Sequence, residues 1–157
     1  MQKKRSPSAM IRSLLSLQRL GVLGTSSETG PYANLVAFAS TRDMRHLLFA
    51  TARTTRKYNN LKRDSRVSLL VDSRSNREAD FHLAIATTAT GTARELRGAE
   101  KRKCLRMFLR KHPHLKDFAA SPNCALFRIR VRTYYVVNRF QEAMELRPRS
   151  VNIRRVR

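Results

Sequence analysis

The chain has 157 residues, with 33 Lys and Arg against 11 Asp and Glu, a formal net charge of +22. That length supports one domain with a core of its own rather than two, and 41% hydrophobic residues with only five Gly and five Pro exclude a disordered or collagen-like chain. The charge predicts attraction to polyanions, whether nucleic acid, an anionic membrane face or a phosphorylated ligand, without choosing among them.

Residues 1–9 form a basic lead-in. Ser6 or Ser8 is placed to cap a helix running to about Leu17, with Ile11, Leu14 and Leu15 on its apolar side. Arg12, Gln18 and Arg19 interrupt this stretch, so it is neither a signal-peptide core nor a membrane span. A cytoplasmic protein with no membrane partner is the expectation. Cys104 and Cys124 have no His or Cys at metal spacing, so reduced thiols and no metal site are expected.

A first strand over Leu20–Thr25 and a second over Tyr32–Ala39 make a hairpin around the turn at Ser26–Pro31. A third follows at His46–Thr51. A helix is expected to start at Thr54 or Thr55 and run through Leu61, and a strand with alternating Val67, Leu69 and Val71 comes next. After a polar loop from Asp72 to Asp80, the Thr- and Ala-rich stretch Phe81–Arg94 reads as one long strand with a bulge or bend at Gly91. Gly98–Lys111 is the clearest helix, apolar on the side of Cys104, Leu105, Phe108 and Leu109 and stopped by Pro113. His114–Ala120 is a short helical turn, Ala125–Val131 and Thr133–Val137 a strand pair, and Ala143–Leu146 a last short strand. Residues 147–157, with five arginines and no acid, are expected to be a solvated tail. The pattern is a small antiparallel β-barrel with flanking helices.

The second helix breaks a local rule. Thr55 is a sensible N-cap, yet Arg56 and Lys57 then occupy the first turn, where the macrodipole is already positive. Two cations there make sense when an anion sits on them. Free amides, Thr hydroxyls and two cationic side chains together form a phosphate site. Other chemistry-bearing residues point nowhere in particular. His82 has no oriented carboxylate partner, and His112 and His114 flank Pro113 at a helix terminus that favours a cation. Asp72 and Asp80 do not form an acid–base pair, and Tyr32, Tyr58, Tyr134 and Tyr135 read as strand packing more readily than as ring-stacking groups. No catalytic side chain is identified. There is no zinc-finger, basic-zipper or aromatic RNA-binding motif, so nonspecific nucleic-acid adhesion at low salt is the expectation.

Taken in order, Leu23–Thr25, Gly30–Tyr32, Leu48–Thr51, Thr55–Lys57, Asn60–Leu61, Arg66–Asp72, Gly91–Ala93 and Tyr134–Val137 resemble the flavin-binding split-barrel proteins of the pyridoxamine 5′-phosphate oxidase type. The likeness spans residues 10–146, which it marks as the FMN-binding domain. It implies a mainly β, six-stranded antiparallel split barrel that forms a homodimer, with FMN in clefts between the subunits. Arg56 and Lys57 match the element that grips the FMN phosphate, with Thr55 in the hydroxyl position. Ala50 and Thr51 match the strand end beside the phosphate and ribityl chain, and Asn34, Leu35, Val36 and Ala37 match the strand along the isoalloxazine ring. The oxidase itself has Arg at the place of Asn34, a flavin-contacting Gln near Ala86, and C-terminal Trp and Arg elements that are missing here. The ending Val136–Phe140 is more similar to the flavin-nucleotide-binding and haem-utilisation branches. An oxidoreductase that takes electrons from reduced nicotinamide is therefore implied, with three alternatives left open: a deazaflavin cofactor, a non-catalytic flavin-binding module, and a basic nucleic-acid-associated protein on the same barrel.

Overall fold

The computed structural model describes residues 6–138, 142–148 and 153–156. Helix α1 (Pro7–Leu17) is capped by the Ser6 hydroxyl, which accepts from the Ala9 amide. Strands β1 (Leu20–Ser27), β2 (Gly30–Ser40) and β3 (His46–Ala52) follow, then α2 (Arg56–Arg63) and β4 (Arg66–Asp72). Next come α3 (Asp80–Leu83), β5 (Ile85–Glu95) and α4 (Gly98–Lys111). A 3₁₀ turn (Pro113–Leu115) leads into α5 (Lys116–Ala120), and β6 (Cys124–Asn138), β7 (Glu142–Leu146) and β8 (Ile153–Val156) complete the order. All strand pairs are antiparallel, in the order β3-β2-β1-β4-β5-β6, and a β3–β6 ladder closes the six into a barrel. The sheet continues from the second half of β6 to β7 and β8.

Three expectations are corrected. The stretch expected as one strand from Phe81 begins with the helical turn α3, wound by backbone bonds from the His82 and Leu83 amides to the Ala79 carbonyl, while the Asp80 carboxylate accepts from the Ser75 and Arg77 amides and closes the loop before it. The expected strand pair at 125–137 is one 15-residue strand, β6. It needs that length because β5 pairs along most of one edge while β3 and β7 share the other. The tail expected to be solvated contributes β8 at Ile153–Val156, and residues 1–5, 149–152 and 157 lie outside the described residues.

Alternation of side chains along each strand builds the interior. Leu23, Val36, Phe38, Leu47, Phe49 and Leu69 point inward, and Ile11, Leu14 and Leu15 of α1 join the same cluster. Gly91 sits at the register shift between β5 and β6, where a Cβ would overlap the Arg130 carbonyl, so only glycine fits. On the outside, Phe108 of α4 covers Leu48, Ala39 and Leu126 in a second cluster. A different part of the outer surface has no such cover among the described residues. Leu35, Val22, Leu70, Thr88 and Tyr135 are successive cross-strand neighbours there. Leu35 is 63% exposed and Leu20, one pair away, 55%.

Candidate functional site

Strands β2 and β3 pair only where Phe38–Ser40 meet Leu47–Phe49. Beyond that point β3 continues alone on β6, with Ala50, Thr51 and Ala52 opposite Leu126, Ala125 and Cys124. β2 meanwhile stays on β1 back to Gly30, so among the described residues its other edge is not paired to a strand over Gly30–Ala37. The barrel splits here, and backbone donors and acceptors of β2 face the opening.

α2 begins at this split. Thr55 caps it, accepting from the Tyr58 amide at 3.3 Å and donating to the Ala52 carbonyl at 2.9 Å. With its proton so used, Thr55 Oγ1 receives the Thr51 hydroxyl at 2.9 Å. Both hydroxyls thus shape the turn first. The Arg56 and Lys57 amides precede the first intrahelical bond, from the Asn59 amide to the Thr55 carbonyl, and are not used by the helix.

No acidic residue stands in the first turn of α2, and neither Arg56 nor Lys57 has a carboxylate partner among the described residues. Arg56 is exposed, its guanidinium 5.3 Å from the centre of the Tyr32 ring across the split. Lys57 is half-buried, and burial lowers its pKa. An unpaired cation in that position is held at a cost that an anion would remove.

The sequence expectation set Asn34–Ala37, Ala50, Thr51 and Thr55–Lys57 around one cofactor. In the structure Leu35 and Ala37 lie on the outer face of β2, while Val36 and Asn34 lie on the inner one. The Asn34 Oδ1 is buried without a partner among the described residues. Ala37 and Ala50 sit on either side of the split, both on the outer face beside the second cluster. Ala86 is elsewhere, lining a cavity of about 820 Å³ with Leu70, Val137 and Phe81 near the far end of β4 from α2.

One supporting group escaped the sequence reading. Arg53, in the turn before α2, pairs with Glu95 at the end of β5 (Nη2 to Oε1, 2.6 Å) and donates to the Tyr58 hydroxyl at 2.9 Å. The Tyr58 hydroxyl donates in turn to the other Glu95 oxygen. Burial pushes the Glu95 carboxyl up, but the Arg53 guanidinium, the Tyr58 hydroxyl and Arg97 together outweigh this and hold it below its usual value. Glu95 is 37 residues from Tyr58 in sequence, and no local pattern signals that contact. Asn60 similarly ties α2 to Thr25 of β1.

The remaining candidates are accounted for structurally. The histidine expected to be a favourable cation at the α4 terminus, His112, is buried and its pKa is lowered, chiefly by burial. Its Nε2 lies 2.7 Å from the Phe38 carbonyl, so the proton is on Nε2 of a neutral ring. Tyr134 is fully buried and donates to the Met44 carbonyl, and His82 is exposed on α3. Asp72 pairs with Arg74, both cysteines are free, and no metal-binding cluster exists among the described residues. No helix among the described residues is long and apolar enough to cross a membrane.

Residues 8–138 match the family model for pyridoxamine 5′-phosphate oxidase. The chain belongs to this family. No curated protein matches the sequence. Among solved structures, a haem-binding protein from Mycobacterium smegmatis is similar with a TM-score of 0.82 and 17% identity, over 94% of this chain and 60% of that one. Campylobacter jejuni ChuZ gives 0.78 and 16%, over 99% and 65%. A FAD-binding protein from Mesorhizobium loti gives 0.65 and 19%, over 83% and 92%. The chain thus spans less than two thirds of the length of the first two. At these identities the likeness is one of fold, and it agrees with the family's split barrel.

Proposed function

We propose that this family member binds FMN, with the phosphate on Arg56, Lys57 and the free amides of α2, and acts as a flavin-dependent oxidoreductase. The observation that carries this reading is the half-buried, unpaired Lys57 beside Arg56 at a helix start without acids, opening onto the split. The residues present fit such a group. Two cations and two amides suit a phosphomonoester, Ala37 and Ala50 leave room beside the split, and the unpaired edge of β2 offers backbone groups to a polar ring edge. Thr51 and Thr55 hold the turn in place, and Tyr32 keeps Arg56 over the opening. Bound FMN would supply the redox chemistry, with reduced nicotinamide as the proposed donor; the chain supplies binding and orientation. The names of the similar structures, one haem-binding and one FAD-binding, support a planar cofactor on this fold without choosing between them.

The apolar row through exposed Leu35 and Leu20 and half-buried Val22 and Leu70 supports a homodimer that covers it, since contiguous apolar surface of this kind marks interaction sites. The decisive experiment is absorbance and mass spectrometry of the small molecule released from denatured protein, followed by NADH oxidation with and without added FMN. A flavin spectrum with FMN-dependent turnover supports the enzyme. Flavin without turnover would make it a binding module, a haem spectrum would replace the flavin, and a colourless protein that retains only nucleic acid would leave a basic nucleic-acid-associated barrel.

A further inference from the structure

A second cationic site lies on another side of the molecule. Between α1, the β2–β3 turn and the end of α4 is a cavity of about 500 Å³, within the range of small-molecule pockets. Arg12, Arg42, Arg110 and Lys111 line it, and no carboxylate does. Asp43, in that turn, is not among the lining residues and is already engaged: it accepts from the hydroxyl of Thr41, which lines the cavity, and from the Arg45 amide. The cavity is built rather than incidental. Arg12 donates to the Arg42 carbonyl at 2.6 Å and fixes α1 to the turn. Lys111 donates to the Leu15 carbonyl at the end of α1 and lies 4.0 Å from the centre of the Phe38 ring. Met44 holds the turn with φ 58, its side chain buried and its carbonyl bonded by Tyr134.

Burial, together with the nearby charge of Arg19, lowers the Lys111 pKa to about 8. Positive charge is thus gathered here with no carboxylate among the described lining residues to balance it. Ser16 and Ser40 also line the cavity. The floor, by contrast, is apolar, made of Leu15, Ala39, Met44 and Met107. A thioether surface adapts to flat apolar bodies.

We infer that this cavity binds a phosphorylated small molecule with an apolar body of about mononucleotide size, phosphate toward Arg42, Arg110 and Lys111, body on the Met44–Met107 floor. The site is separate from the α2 start and does not depend on the flavin reading. ADP serves as the probe, titrated calorimetrically into the full chain at near-physiological salt, with adenosine and pyrophosphate as partial ligands. Saturable ADP binding, with each partial ligand weaker, is expected. Arg42 and Arg110 are exposed, so Arg42→Ala/Arg110→Ala should fold and weaken ADP by roughly tenfold or more through lost charge-assisted contacts. The same titration on Arg56→Ala/Lys57→Ala should be unchanged, as should that on Arg74→Ala/Arg77→Ala, which removes two charges elsewhere. Four results would overturn the inference: no ADP binding, an equal loss in the Arg74/Arg77 control, loss in the Arg56/Lys57 variant, or pyrophosphate binding as tightly as ADP. Binding of a single-stranded oligonucleotide but not ADP would also overturn it, pointing to a nucleic-acid surface instead.

Discussion

Replacing Glu95 by Ala tests whether the turn carrying the α2 site is held from β5. The substitution removes a 2.6 Å ion pair with Arg53 and the acceptor of the Tyr58 hydroxyl. Breaking a fully buried pair costs about 3–5 kcal/mol. Here Glu95 is only 9% exposed but Arg53 is 34% exposed, so water can take over part of the guanidinium. About 2 kcal/mol is the resulting expectation, which for a domain of this size lowers Tm by roughly 4–8 °C. Glu95→Gln, which keeps an acceptor but no charge, should lose about half as much. The sign with pH follows from the lowered carboxyl pKa. The contribution is fully present above the unfolded value of 4.5 and disappears as pH falls through the lower folded one. Thermal melts by circular dichroism at several pH values therefore provide the assay, with wild type and Glu95→Ala converging in acid. A Tm at neutral pH within about 1 °C of wild type would refute the network's structural role.

Gly91→Ala should destabilise by about 3 kcal/mol or prevent folding, because its Cβ meets the Arg130 backbone, whereas Gly24→Ala, which meets only the movable Ser68 hydroxyl, should cost about 1 kcal/mol or less in denaturant titrations. His112 is neutral with a pKa lowered below 6.5, so the unfolded chain binds the extra proton and stability should fall as pH drops below that value. His112→Gln should flatten this slope in urea titrations between pH 5 and 7, and an unchanged slope would assign it to another group. Leu35→Asp places a charge in the apolar row that the proposed homodimer would cover; light scattering should show a dimer for wild type and a monomer for the variant, and a wild-type monomer or an unaltered dimer would contradict that interface.

Much of the fold was legible because its signals are local. The Ser6 cap and the alternation of Val67, Leu69 and Val71 depend on neighbours in sequence and appear where expected, and the Gly91 irregularity is signalled by its residue type although the contact behind it, with Arg130, lies on another strand. The expectation of a strand pair at 125–137 misses the continuity of β6, which comes from β5, β3 and β7 holding it along both edges rather than from any local signal. Phe81 reads as part of β5 because α3 has no side-chain cap to announce it; the turn is held by backbone bonds to the Ala79 and Asp80 carbonyls. At the candidate site, Arg56 and Lys57 stood out because they contradict the dipole of their own helix. Tyr32, Arg53 and Glu95 did not, since their contacts cross between elements and leave no periodic trace.

The central claim is that an anion of FMN's kind belongs on Arg56 and Lys57. Its most direct measurement is the affinity of FMN and of riboflavin, by flavin fluorescence, for wild type and for Arg56→Ala/Lys57→Ala. Each charge-assisted contact is worth about 1.5–3 kcal/mol, so FMN should weaken by roughly tenfold or more per residue while riboflavin, without the phosphate, changes little. Equal losses for the two ligands, or none for FMN, would contradict the claim.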